Sequence, residues 1–398
     1  MKGYFDYNAT TPISDGVQQA TIDALAHFGN PSGRYRFSQE SKRIVSDTRL
    51  TFARFLSCEE EEIFFTSGGT ESNNLAIRGV LDQSERQNLS GQHVICSAIE
   101  HSSVIELLNW YHSRLGLAVT FVQPNREGRI QVEDIQRAIR PSTCLITVMA
   151  INNEIGTIQP IEDIAVIANA HSIHFHVDAV QAVGKIPLNL ERVGAHTVAF
   201  SGHKFYAPKG IGGLYCKKSS VLSPLFVGGG QEKGLRGGTE NTLGIAALHV
   251  AANECAKDMQ SQLLRFASLR SLAITLLQQH DITFQCNGSD NAQHQAPWTL
   301  NISIQGIRGE ALAARLDICH GIAVSLGSAC SNNKQQNRSH VLKSMGLSNQ
   351  DIDSAIRISF GKQTLEEDIH QLVDAIAKEV GFLNRLSQVT VEDEISAY

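Results

Sequence analysis

Strand-like and helix-like segments alternate through the first half of this 398-residue chain, and no other feature limits its fold as much. Short apolar, β-branched runs lie in "EEIFFTSGG", "HVICSAIE", "AVTFVQ", "CLITVMA", "IHFHVD" and "HTVAF". Helical patterns such as "TESNNLAIRGVL" and "IEDIAVIANAHS" separate them. Such alternation predicts an α/β fold, with a large domain built on a mostly parallel central sheet flanked by helices. After "RGGTENT" the pattern changes to a long helical tract from about Leu243 to Gln279. Beyond it come a strand in "WTLNISI", a helix in "GEALAARLDICHG", a strand in "IAVSLGS" and a terminal helix in "LEEDIHQLVDAIAKEVGFLNRL". These predict a smaller α+β domain, with residues 13–257 as the large domain and 1–12 plus 258–398 as the small one. The polar stretch "SNNKQQNRS" (331–339) has no apolar residue and predicts a solvated, mobile loop.

Composition closes off several function classes. A net charge of −6 without a long basic block argues against nucleic-acid binding as the main activity. "MKGYFDYNATTP" has no apolar h-region, so no secretory signal is expected, and "CLITVMAI" is strand-length, too short to span a membrane. The eight cysteines are scattered singly with no C-x-x-C pair, which points to reduced thiols and a cytoplasmic protein. His174 and His176 share one face of a strand, yet no third ligand stands at metal-binding spacing, so no metal site is expected.

Ligands of α/β proteins gather beyond the carboxyl ends of the parallel strands, and polar clusters fall there. "TSGGT" (66–70) sits between a strand and a helix, where glycines and a helix N-terminus suit an anion; a simple helix cap reads the same way. Asp178 ends the strand in "FHVDAVQA", either capping a helix "AVQAVG" or pairing with a cationic ring nitrogen. His101 follows the strand of "VICS" and is weak evidence alone. "SGHKF" ends another strand on Lys204, flanked by Ser201 and His203 and followed by a glycine-rich turn, "APKGIGG". An anion pocket, a strand-end Asp, a histidine and a strand-end lysine are the parts that pyridoxal phosphate requires. Lys204 is then the amine for its aldehyde, with Ser201 and His203 placed to hold the phosphate.

With those residues in view, the chain resembles the cysteine desulfurases of the class V aminotransferase superfamily, which are fold-type I pyridoxal-phosphate enzymes. The resemblance runs in register through "YFDYNATTP", "GNPSG", "FTSGGTESNN", "IEHSSV", "NNEIGTIQPI", "HVDAVQ", "SGHKFYAPKGIGG", "GGGQEKGLRGGTEN", "GSAC", "SHVL" and "IRISFG". It implies that Gly69, Thr70, Ser201 and His203 bind the phosphate, that His101 stacks on the ring, and that Asp178 pairs with its nitrogen. It places Gln181 and Asn153 near the phenolic oxygen and the substrate. Arg357, assisted by Asn30, would hold the substrate carboxylate. Thr239 would reach the phosphate of a neighbouring subunit, implying a homodimer. Cys330, which opens the polar loop, would take sulfur from L-cysteine as a persulfide and pass it to an acceptor protein; read from the residues alone, it is a loop thiol without a role. Selenocysteine lyase, aminotransferase and an inactive sulfur-transfer partner are the alternatives. The chain departs from the family pattern at Gly202, Ala207, Gly237, Arg34-Tyr35 and Asn337-Arg338, and only the last pair bears on the acceptor.

Overall fold

The computed structural model describes residues 2–83, 89–326 and 338–396, without the side chains of Ser90 and of residues 387–396. Seven strands form the central sheet: β1 (Ile63–Thr66), β2 (His93–Ser97), β3 (Ala118–Val122), β4 (Thr143–Thr147), β5 (His174–Asp178), β6 (Thr197–Ser201) and β7 (Gly212–Cys216). Their order is β1-β7-β6-β5-β4-β2-β3. The run from β3 to β6 is parallel, and β7 lies antiparallel between β6 and β1. Strands β2, β4, β6 and β7 are buried at every residue. A sheet covered on both faces selects such unbroken apolar runs.

The parallel sheet is the one the alternation predicts, but β7 lies where the sequence suggests only a glycine-rich turn. Its glycines answer a packing demand. A Cβ on Gly213 would sit 2.2 Å from the Phe200 ring, and one on Gly212 would sit 2.7 Å from Gly68 Cα. A second, antiparallel sheet contains β8 (Phe284–Asn287), β9 (Thr299–Ile304) and β10 (Ala355–Ser359), in the order β10-β9-β8. Within "IAVSLGS" the described residues, 322–326, form no ladder strand. Ala323 bridges to Tyr4 and Ser325 to Arg357, so its backbone groups are divided between two neighbours.

Helix Thr242–Gln279 continues without a break through residues 257–258 and packs on α1 (Asp15–Ala24), α2 (Gln39–Leu56) and the terminal helix Glu366–Ser396. One core joins the two sheets, including Phe175 and Phe200 from the first and Leu300 and Ile356 from the second. Residues 4–11 run between them: Tyr4 bridges Ala323, Asp6 bridges Ser359, and Thr11 N donates to His203 O at 2.9 Å. The N-terminal segment thereby reaches the ends of the central strands.

Candidate active site

Helix α3 (Gly69–Leu81) starts beside the end of β6. Its N-cap, Gly68, has φ +149°, a conformation L side chains rarely adopt, and a Cβ there would lie 3.5 Å from Ser201 Oγ. A Cβ on Gly69 would meet Val180 Cγ2 at 2.6 Å. The amides of Gly69, Thr70 and Glu71 have no intrahelical acceptor by helix geometry, and Thr70 is exposed. Such a helix start is a cradle that suits an anion, and the buried Ser201 lies beside it. Glu71 stands in the same turn, an unwelcome charge. Arg236 Nε donates to its Oε1 at 2.8 Å and Ser67 N to its Oε2 at 2.9 Å, and these outweigh burial to hold the carboxyl below its usual range.

Lys204 closes the single turn Gly202–Lys204 that follows β6, and its Nζ donates to the carbonyls of Asn8 (2.8 Å) and Ala9 (2.6 Å). His203 Nδ1 lies 3.1 Å from Thr10 Oγ1; burial first, and then the charge of Lys204, pushes its imidazole down to about 4. Gln181 Nε2 donates to the same Asn8 carbonyl at 2.9 Å, and its Oε1 accepts from Lys185 Nζ at 2.6 Å. Burial, then Lys204, holds Lys185 well below the ordinary lysine range. Asn8 is the joint of the site, since its Nδ2 also donates to Asn153 O (3.1 Å) and Thr299 Oγ1 (2.8 Å).

Asp178 ends β5 buried, its Oδ1 accepting from Val180 N at 2.9 Å and its Oδ2 from Asn73 Nδ2 at 2.8 Å. The capping reading of Asp178 foresees a helix at 179–184, but those residues form successive turns. Gly184, at φ +80°, packs where a Cβ would meet Phe205 Cβ at 2.4 Å. His101 is the N-cap of α4 (Ser102–Leu115), its Nδ1 accepting from Ser103 N at 3.1 Å. Burial holds it below the ordinary histidine range, against the pull of Asp178.

Arg357, on β10, is buried; Nη2 donates to Asp6 Oδ1 at 2.6 Å and Nη1 to Asn153 O at 3.0 Å. Its Nε is buried with no hydrogen-bond partner among the described residues. Asn30 and Thr239 are exposed, and no hydrogen bond among the described residues joins either to this group. Cys330 lies outside the described residues. Ser339 departs from the solvated loop expected of it: it is buried, donates to Glu154 Oε2 at 2.5 Å and caps helix His340–Ser344. Sequence reasoning gave no role to Asp6, Asn8, Asn73 or Lys185. The first two act within the quoted "YFDYNATTP", where only polarity in an apolar run marks them.

The aminotransferase class-V family model matches residues 3–372. Cysteine desulfurase IscS of Dictyoglomus turgidum is 36% identical over 394 residues, covering 99% of this chain and 98% of that protein. Among solved structures, a NifS-like protein superposes with TM-score 0.88 at 34% identity, covering 96% of this chain and 100% of the other. The structure of SspA in complex with cysteine gives TM-score 0.77 at 34% identity, over 92% of this chain and all of that one. The match extends along nearly the whole chain and embraces the lysine, aspartate and glycine cradle at the strand ends. This chain belongs to the class-V aminotransferase family.

Proposed function

We infer that this chain is a pyridoxal-phosphate-dependent L-cysteine desulfurase. It converts L-cysteine to L-alanine: the substrate Cβ–S bond breaks, and the sulfur passes to Cys330 as a persulfide for an acceptor protein. The reading is carried by the convergence of Lys204, Gln181 and Arg357 on Asn8 and Asn153, beside a glycine cradle and the strand-end Asp178. The full-length likeness to cysteine desulfurases supports it, as does the cysteine bound by one similar protein.

The family's enzymes use pyridoxal phosphate, and the residues present fit it. Gly68 and Gly69 place no side chain over the first amides of α3, which suits an anion, and Arg357 keeps a buried Nε without a hydrogen-bond partner among the described residues. Bound there, the group supplies an aldehyde for amines and an electron-withdrawing ring. Gly69, Thr70, Ser201 and His203 would bind its phosphate; Asp178 would keep a proton on its ring nitrogen, and His101 would stack on the ring. Gln181 and Asn153 would orient the phenolic oxygen and the substrate. Lys204 Nζ would hold the aldehyde carbon and move the proton at the substrate Cα. Arg357 would clamp the substrate carboxylate, with Asn30 assisting.

The enzyme would act as a homodimer, with Thr239 serving the neighbour's phosphate. The exposed Phe28, Phe37, Phe226 and Val227 supply apolar surface for such a contact. An active monomer in sedimentation would exclude it. The two sheets support a division into residues 13–257 and 1–12 plus 258–398. A cytoplasmic location fits the free thiols of the described cysteines, and no described helix is long and apolar enough to cross a membrane. The decisive assay gives the purified holoenzyme L-cysteine and a thiol reductant. Sulfide and alanine in equal amounts are expected. A keto acid in place of alanine would make it an aminotransferase.

A further inference from the structure

We propose that Asn73 and His176 are positioning residues that set the orientation of Asp178, and brace the Ser103 hydroxyl against His101, through one buried hydrogen-bond chain. The proposal rests on the reading of Asp178 and His101 as the residues that hold the cofactor ring.

The donors and acceptors fix one another. A carboxylate only accepts, so the Asn73 atom 2.8 Å from Asp178 Oδ2 is the amide nitrogen. The same nitrogen has a second hydrogen, and Ser103 Oγ takes it at 2.9 Å. Asn73 Oδ1 therefore faces His176 Nε2, 3.0 Å away, and Nε2 must carry the proton. Burial pushes His176 down to about 3, so its ring stays neutral and Nδ1 is an acceptor. The Thr197 hydroxyl donates to that Nδ1 at 2.9 Å, and Thr197 Oγ1 in turn accepts from His174 Nε2 at 3.0 Å.

The other branch reaches His101. Ser103 Oγ accepts from Asn73, so its own hydrogen goes to His101 Nδ1 at 2.9 Å. Ser103 N donates to the same atom at 3.1 Å. An Nδ1 that accepts twice carries no proton, which leaves the ring hydrogen on Nε2. Asn73 thus touches both branches, and it, His176 and Thr197 are fully buried. Without Asn73, Asp178 Oδ2 loses its donor in a place water does not readily reach, and the carboxylate is held by Val180 N alone. Without the His176 proton, Asn73 Oδ1 loses its buried donor, and the amide plane is held from its nitrogen side alone.

The test uses four variants of the full chain and two readouts: the dissociation constant of pyridoxal phosphate, and the His101 Nδ1 resonance from 15N NMR of histidine-labelled protein. Asn73→Leu and His176→Phe should each weaken cofactor binding roughly tenfold, the effect of one lost hydrogen bond to a charged group. Asn73→Leu should also shift the His101 Nδ1 resonance, because Ser103 Oγ loses its Asn73 donor, while the main-chain N–H of Ser103 keeps the ring hydrogen on Nε2. His176→Gln, whose amide N–H can stand in for Nε2–H, should restore most of the affinity. Native cofactor affinity in folded Asn73→Leu and His176→Phe would overturn the proposal. If Asn73→Leu does not fold, the His176 pair decides: a glutamine variant that binds no tighter than the phenylalanine variant overturns it. Asp178→Asn separates the two levels. Native cofactor affinity in that variant removes Asp178 from the ring and takes the proposal with it, whereas weak binding there with native binding in the Asn73 and His176 variants rejects the proposal alone.

Discussion

Arg357 Nη2 lies 2.6 Å from Asp6 Oδ1, an ion pair between the second sheet and the N-terminal segment that holds the guanidinium in one plane. On the proposed function this guanidinium would meet the substrate carboxylate; its Nη1 donates to Asn153 O, and its Nε is buried without a hydrogen-bond partner among the described residues. Arg357→Lys keeps the charge but loses the planar fork. It should raise KM for L-cysteine by roughly ten- to a hundredfold, the worth of one hydrogen bond to a charged group, with a smaller effect on kcat. Steady-state kinetics over a wide cysteine range checks this. An unchanged KM would remove Arg357 from substrate binding.

Lys204 is tied to its surroundings through two main-chain carbonyls, those of Asn8 and Ala9. Lys204→Ala removes these bonds at the end of β6 and should leave the fold intact by circular dichroism. Turnover should vanish, and the visible absorption of lysine-held cofactor should go with it, even where some cofactor stays bound non-covalently. Retained absorption and activity would shift the role to another amine, with Lys185 the first to examine.

The strand ends were legible because an apolar run that stops on Asp178 or Ser201 changes chemistry abruptly. What escaped was whatever depends on distant chain segments. The acceptor for Lys204 is a carbonyl 196 residues away, and a carbonyl is the same at every position. Gly212 and Gly213 suggested a turn because their packing against Gly68 and Phe200 cannot be seen locally. Lys185 carries no signal of its own in the sequence; Gly184 at φ +80° turns the chain, and Lys185 lies against Gln181 and Trp298.

Glu100, next to His101, should give the fold an alkaline weakness. Its Oε1 accepts from Met149 N at 2.6 Å and from the Ser97 hydroxyl, while buried Oε2 has no partner among the described residues. Burial above all, opposed by Ser97 and reinforced by the Asp178 charge, pushes its carboxyl up to about 8 from an ordinary 4.5. The folded state thus binds a proton that the unfolded state releases between those values. The stability this proton gives is full below 4.5 and is lost as pH rises through 8. Glu100→Gln removes the titration. Relative to the native protein it should gain stability steadily as pH rises across that window, as read from urea unfolding at several pH values. Contributions from the histidines are common to both proteins and cancel in the difference. Parallel curves would mean that Glu100 is already ionised when folded.

The last prediction separates desulfurase from aminotransferase by asking which thiol takes the sulfur. A thiolate is the nucleophile, and burial works against it at most of the described cysteines. The thiols of Cys58, Cys216 and Cys255 are pushed up to about 12, Cys96 is pushed well above its ordinary value, and Cys286 is raised as well. Cys144 is buried in β4. Cys319 is exposed, on helix Gly309–His320, and is the accessible competitor among the described residues. Cys330→Ser should bind cofactor normally, release no sulfide at a useful rate and carry no persulfide. Cys319→Ser should turn over like the native enzyme. Mass spectrometry after brief exposure of the native protein to L-cysteine should find one added sulfur on the Cys330 peptide. Added sulfur on Cys319, or full activity in Cys330→Ser, would overturn the sulfur-transfer route while leaving the cofactor assignment in place.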